Sequence, residues 1–284
     1  KIVSMVEAYN QVVAYIKEQT KYDTTTGQAG ILLGNYGVQL VKGALAAIAT
    51  GNAPGFKDPQ DTYTHLAQLG ITTDADQNSP TFGQLVVDEA TLRSALVAHP
   101  EAVAGLMAAS FEGVSDDASG VISYYSSIPG ITKPGIYQVS ATVTGGILVS
   151  GTINGHAATV DGDTLVGAAG YDEYGLAVRV GLTDGTHTGT VRLKQGVNGV
   201  FSARLNELLS ASAGPTNIII DNYQEIIENI DEKIARETRR VAAYRQRLIE
   251  QFSRLEEVLS TLNQQSNSLN YQLQKLGFKS DNSG

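Results

Sequence analysis

The side chains best suited to chemistry are few and scattered. His65, His99, His156 and His187 form no His-Glu-x-x-His pair, and no two of them lie four residues apart. A zinc site needs imidazoles or thiolates that converge at short, regular spacing. The chain has no cysteine at all, so these histidines read as surface or capping residues and no metal is expected. Asp74, Asp76 and Asn78 have the one-three-five spacing that opens a calcium loop, but Ser79 stands where that loop needs glycine and Leu85 where it needs glutamate. A solvated hairpin turn is the expectation there. No Gly-x-Ser-x-Gly elbow presents a serine nucleophile. The 30 glycines make neither the dinucleotide fingerprint nor a Gly-Lys-Ser/Thr phosphate loop. The reading is therefore of a protein without catalysis or cofactor, whose function lies in its surfaces.

Composition narrows those surfaces. A hydrophobic fraction of 42% over 284 residues supports ordinary buried cores. The formal charge of -9 argues against nucleic acid, whose phosphates require a concentrated basic face. From Asn217 onward ten acids face nine bases, so nearly all of the net charge lies in residues 1–216. A charge-balanced segment suits a helix that packs on other helices. No apolar run is long enough to cross a membrane and no basic leader precedes a cleavage site, so no membrane partner is expected. The chain opens at Lys1 already in helical periodicity, which suggests an excised fragment. The lack of cysteine suits either a cytosolic protein or one exported unfolded.

The elements that must build these surfaces are legible in the hydrophobic period. Ile2, Met5, Val6, Tyr9, Val12, Val13 and Ile16 recur at three- and four-residue steps, predicting a helix to about Gln19. A second run at Val38, Val41, Leu45 and Ile48 ends at Gly51, with Pro54 beyond. Leu69-Gly70-Ile71 and Gly83 to Val87 read as short strands. Asp88 is placed to cap a helix carrying Leu92, Leu96 and Val97, and Pro100 to open another carrying Val103, Leu106 and Met107. From Pro129 to about Gly196 the period becomes two, at Tyr137, Val139, Ala141 and Val143 and at Leu176, Val178, Val180 and Leu182. Gly145-Gly146, Asn154-Gly155, Asp161-Gly162 and Asp184-Gly185 punctuate it as tight turns.

The strongest pattern runs from about 217 to 276: Ile227, Ile230, Ile234, Val241, Tyr244, Leu248, Phe252, Leu255, Leu259, Leu262, Leu269, Leu273 and Leu276. It predicts a coiled-coil helix with one stutter at Tyr244, Leu248 and Phe252. Amides crowd its end from Asn263 to Gln274, and they read either as a frayed, solvated terminus or as a subunit-packing surface.

Three ordered blocks carry a resemblance. Val6-Glu7-Ala8-Tyr9-Asn10 with Thr20-Lys21-Tyr22-Asp23 and Gly30 to Asn35 comes first, then Leu66 to Thr72 with Gly83 to Glu89, then Gln251 to Glu256 running on to Leu269. Together they resemble the C-terminal region of bacterial flagellar filament cap proteins (hook-associated protein 2), over about 1–110 and 196–276. Ile153-Asn154-Gly155 and Asp163-Thr164-Leu165 are similar to a short repeat of flagellar axial proteins. The resemblance implies an α+β protein: an elongated helical leg with a long C-terminal coiled-coil helix and an inserted small antiparallel β domain. The expected boundaries are 1–124 for the first part of the leg, 125–196 for the insert and 197–284 for the helix that completes the leg. It implies a secreted structural protein that forms a homo-oligomeric ring at the filament tip, with flagellin as partner. In that setting Val6, Tyr9, Val13 and Ile16 would pack on the C-terminal helix, and Leu255, Leu259, Leu262, Leu269, Leu273 and Leu276 would contact other subunits or flagellin. The alternative is an adhesin, in which the β insert binds a host or surface receptor on a coiled-coil stalk.

Overall fold

The first apolar stripe folds as α1 (Ile2–Thr20), in which Val6, Tyr9, Val13 and Ile16 are the buried positions. The computed structural model describes residues 1–210 and 214–276. Lys1–Ile218 form one compact unit, and a second begins at Ile219. After the two-residue strands β1 (Tyr22–Asp23) and β2 (Gln28–Ala29), α2 (Tyr36–Thr50) starts at Asn35, whose side-chain oxygen accepts from the Val38 N–H at 3.2 Å. It stops at Gly51, as the sequence predicts. Leu66–Leu69 make a turn of 3-10 helix that Gly70 ends, so the first strand of the next hairpin, β3 (Ile71–Thr73), begins later than the pattern suggests. It pairs antiparallel with β4 (Leu85–Val87). The Asp88 carboxylate caps α3 (Glu89–Ala98) by accepting from the Ala90 and Thr91 N–H groups, and Pro100 opens α4 (Pro100–Met107). The face of α3 differs from the prediction: Leu92 and Ala95 point inward, while Leu96 and Val97 are exposed. A ten-residue helix presents one stripe to the core, and here that stripe runs through Leu92 and Ala95.

These elements share one core with α5 (Val197–Leu208): Val6, Tyr9 and Val13 meet Leu45, Ala49, Leu66, Leu69, Ile71, Leu85, Leu106 and Phe201. Tyr9 meets Phe201 edge to face with ring centres 6.0 Å apart. The Asn10 amide locks α1 to β4 by donating to the Leu85 carbonyl at 2.9 Å and accepting from its N–H at 2.7 Å. Within this unit the neighbours that bury the α1 stripe are therefore α2, β4 and α5. Truncating a buried ring loses its transfer energy and leaves a void, so Tyr9→Ala is expected to cost ~3 kcal/mol in a denaturant melt. A loss under about 0.5 kcal/mol, the range of surface changes, would place Tyr9 outside the core.

The β sheets take up the rest of the first unit. The strands are β5 (Phe111–Ser115), β6 (Ile122–Ser126), β7 (Gly135–Thr144), β8 (Ile147–Ile153), β9 (His156–Ala157), β10 (Thr159–Asp161), β11 (Thr164–Val166), β12 (Ala177–Val180) and β13 (Gly185–Gln195). One sheet has the order β10-β11-β12-β6 and the other β5-β13-β7-β8-β9, all antiparallel. Alternation works as read in β7, where Tyr137, Val139, Ala141 and Val143 face a second core with Ile122, Ile153, Leu165, Val178 and Leu193. Gly145 and Gly146, both at positive φ, close the β7–β8 hairpin. Asp184-Gly185 does not close a hairpin. It carries the chain from one sheet to the other, with the Asp184 carboxylate accepting from the Gly146 N–H at 2.8 Å. The position 125 expected as a boundary falls inside β6, and β5 and β6 are integral to the sheets.

Tyr137 anchors the start of β7: its hydroxyl donates to the Lys133 carbonyl at 2.5 Å and to that of Asp172 at 3.2 Å. Burial, followed by the nearby Asp172 and Glu173 charges, pushes its pKa up to about 12. The folded state thus holds the neutral phenol more firmly than the unfolded chain does. Its contribution to stability is complete below about pH 10 and is lost as pH rises through 12. Burial also raises Tyr9 above the ordinary tyrosine range, so ultraviolet titration should show a component near 12 that Tyr137→Phe removes and that leaves the Tyr9 shift in place.

Candidate assembly surface

The second unit consists of the run that the sequence marks most strongly. One helix, α6 (Pro215–Lys275), spans 61 residues and so is about 90 Å long. Near its start, the Asn217 amide donates to the carbonyls of Leu209 (3.1 Å) and Ser210 (2.8 Å). Its polar surface carries local pairs, Arg236 with Glu232 at 3.2 Å and Arg240 with Glu237 at 2.9 Å. Exposed pairs of this kind add a few tenths of a kcal/mol each to a helix. Charge is also segregated along it: five acids and no base occupy 221–232, then six bases and one acid occupy 233–247. From 258 to 274 no charge occurs.

The apolar seam of α6 lies open. Leu255, Leu259, Leu262, Leu269 and Leu276 each show half or more of their surface, and Leu273 39%. The same holds upstream for Ile227, Ile230, Ile234, Val241, Tyr244 and Phe252. Burying one leucine is worth roughly 1.5–3 kcal/mol, so covering a seam of this length would be strongly favourable. The amide-rich segment is helical through Lys275; residues 277–284 lie outside the described residues. The first unit offers a smaller apolar surface, an open trough of about 170 Å³ lined by Met5, Ala8, Tyr9, Val12, Leu45, Phe201 and Leu205.

The chemically competent residues are used structurally. The Asp74 and Asp76 carboxylates accept from the N–H groups of Asp76 (3.0 Å) and Asn78 (2.9 Å), and Asp74 also accepts from the Thr81 hydroxyl (2.7 Å). Hydrogen bonds from the Ser79 and Thr81 side chains hold Asp74 below the usual carboxylate range. These are the turns of the β3–β4 connection. The His65 ring meets the Thr64 hydroxyl, His99 lies edge-on to Tyr63, and His187 meets the Thr183 carbonyl. His156 departs from the sequence reading: its Nδ1 lies 2.5 Å from the buried Glu173 carboxylate, and its ring stacks on Tyr171 at 3.6 Å. Only spatial pairing across 17 residues makes that contact, so no local motif announces it. Among the described residues no three His, Asp or Glu side chains gather as metal ligands, and no helix is long and apolar enough to cross a membrane.

The family model described as flagellar hook-associated protein 2 C-terminus matches residues 1–264. The match runs through the β sheets as well as the helical segments. No curated protein and no solved structure matches the chain.

Proposed function

Because the chain belongs to the flagellar hook-associated protein 2 family, a family of structural flagellar proteins, we propose that it caps the distal end of the filament and promotes the folding and insertion of flagellin there. Copies assemble with one another as a homo-oligomer, secreted and extracellular at the flagellar tip. The observation that carries this reading is the family match across 1–264. The exposed leucine seam of α6 supports it, since a surface of that kind suits assembly between chains. Leu255, Leu259, Leu262, Leu269, Leu273 and Leu276 are the proposed contacts with other subunits or flagellin, while Val6, Tyr9, Val13 and Ile16 hold α1 in place. The family match gives no support to the reading in which the sheets bind a host or surface receptor.

The test is electron microscopy of filaments carrying an epitope-tagged full-length protein, beside a strain lacking it. Label should sit at distal tips, and the deleted strain should shed unpolymerised flagellin into the medium. Label along the shaft, or normal filaments in the deleted strain, would overturn the proposal.

A further inference from the structure

The β sheets and the helical base of the first unit have separate apolar cores. The chain passes between them twice, from α4 to β5 and from β13 to α5. These two crossings run side by side: the Asn198 amide donates to the Met107 carbonyl at 2.6 Å, and the Gly199 N–H to that of Ala108 at 3.2 Å. Two adjacent crossings are the only covalent links between the two cores among the described residues. Beside them lies a cleft of about 250 Å³ lined by Phe56, Gly105, Ala108, Phe111, Lys194 and Gly196, among others, which leaves room for movement.

A third attachment comes from residues 52–64, a strap rooted in the helical base by the buried Ala53 and Phe56. It grips the end of β13. The Gln195 N–H donates to the Pro54 carbonyl at 3.1 Å, and the Arg192 guanidinium donates to the Gly55 carbonyl at 3.1 Å and to the Asp61 carboxylate. Lys194 reaches Asp61 at 3.0 Å and lies over the Phe56 ring at 4.6 Å. Gly55 has φ +77°, and a Cβ there would stand 2.3 Å from the Leu193 carbonyl oxygen, so only glycine lets the strap come this close.

The charges are arranged so that the strap can leave. Arg192 is buried, yet its Nε also holds Asp116, just beyond β5, at 2.8–2.9 Å, and Lys194 has Glu112 of β5 at 3.4 Å. Each cation therefore keeps an acid on its own side of the joint when Asp61 withdraws. A buried charge left without any partner would forbid that withdrawal.

We propose that the paired crossings form a hinge and that residues 52–64 are its lock. Engaged, the strap fixes the sheets to the helical base; released, it lets them swing about the paired crossings. Asp61 is the positioning residue, because it alone on the strap is paired with both β13 cations.

The absence of cysteine allows nitroxide labels at two chosen sites, Tyr36→Cys on α2 and Val149→Cys on β8, both exposed. Pulsed electron resonance on the labelled chain should give one narrow distance distribution. In Asp61→Asn and, independently, in Gly55→Ala, it should broaden at least twofold. The Lys57 and Gln195 amides should exchange about tenfold faster while those of α1 and β7 keep their protection, the pattern of a local opening. An unchanged distribution in both variants would overturn the lock. So would loss of protection in strap, α1 and β7 together, which would make the cluster part of one cooperative core.

Discussion

A full-length protein carrying Leu262→Asp with Leu269→Asp is expected to leave a cap-deficient strain non-motile, while its circular dichroism and melting remain those of the parent. Both leucines are more than half exposed on α6, so a carboxylate at either site costs the isolated helix little beyond propensity. At an assembled surface the cost is of another order. The contact loses roughly 1.5–3 kcal/mol of apolar burial per leucine and must also desolvate two unpaired charges, at several kcal/mol each. Together these exceed what a non-covalent interface of ordinary affinity can lose and still form. Gln264→Asp with Ser268→Asp adds the same charge to the same stretch of helix off the seam and should support swimming. Normal filaments with the seam pair would show that the leucines are not where subunits or flagellin pack, and would remove them from the proposed function.

The contrast between that seam and the rest of the molecule shows what periodicity can and cannot report. Steps of three and four predict α1, α2 and α6 because a helix repeats its inward face locally, and Asp88 and Pro100 mark helix starts because capping is a local act. Alternation predicts β7 for the same reason. Phe111–Ser115 and Ile122–Ser126 escape it, since Phe-Glu-Gly-Val-Ser and Ile-Ser-Tyr-Tyr-Ser have no clean period. Their identity as strands comes from pairing with Val191–Gln195 and Ala177–Val180, more than fifty residues downstream. The same distance hides Asp61 and Arg192, which are 131 residues apart. The α1 stripe was readable as buried, but Phe201 and Leu85, which cover it, were not readable as its partners. For α6 the pattern marks an apolar face and says nothing of what covers it. Its part in assembly belongs to the proposed function.

The strand pairing also decides which part of the chain can stand alone. Residues 111–195, excised as one piece, are expected to give dispersed amide signals and a cooperative melt, whereas 129–196, the span marked by the two-residue period, is expected to give neither. The shorter piece lacks β6, the neighbour of β12, and with it Ile122, which is fully buried between Tyr137, Val180 and the rest of the second core. Deleting a buried isoleucine side chain alone costs roughly 2–5 kcal/mol, a large part of the 5–15 kcal/mol that holds a typical domain together. The shorter piece also lacks β5, so the outer backbone groups of Val191–Gln195 lose their ladder. Arg192 loses Asp116 as well as Asp61 and is left as an unpaired cation in an apolar setting. In the longer piece β5, β6 and Asp116 are all retained; only the strap is missing, and a lock that can release implies sheets that survive its release. A disordered spectrum for 111–195 would therefore show that the sheets depend on the helical base, and would count against the hinge as well. Equal folding of 129–196 would show that β5 and β6 are accessory edges, with the second core complete without Ile122.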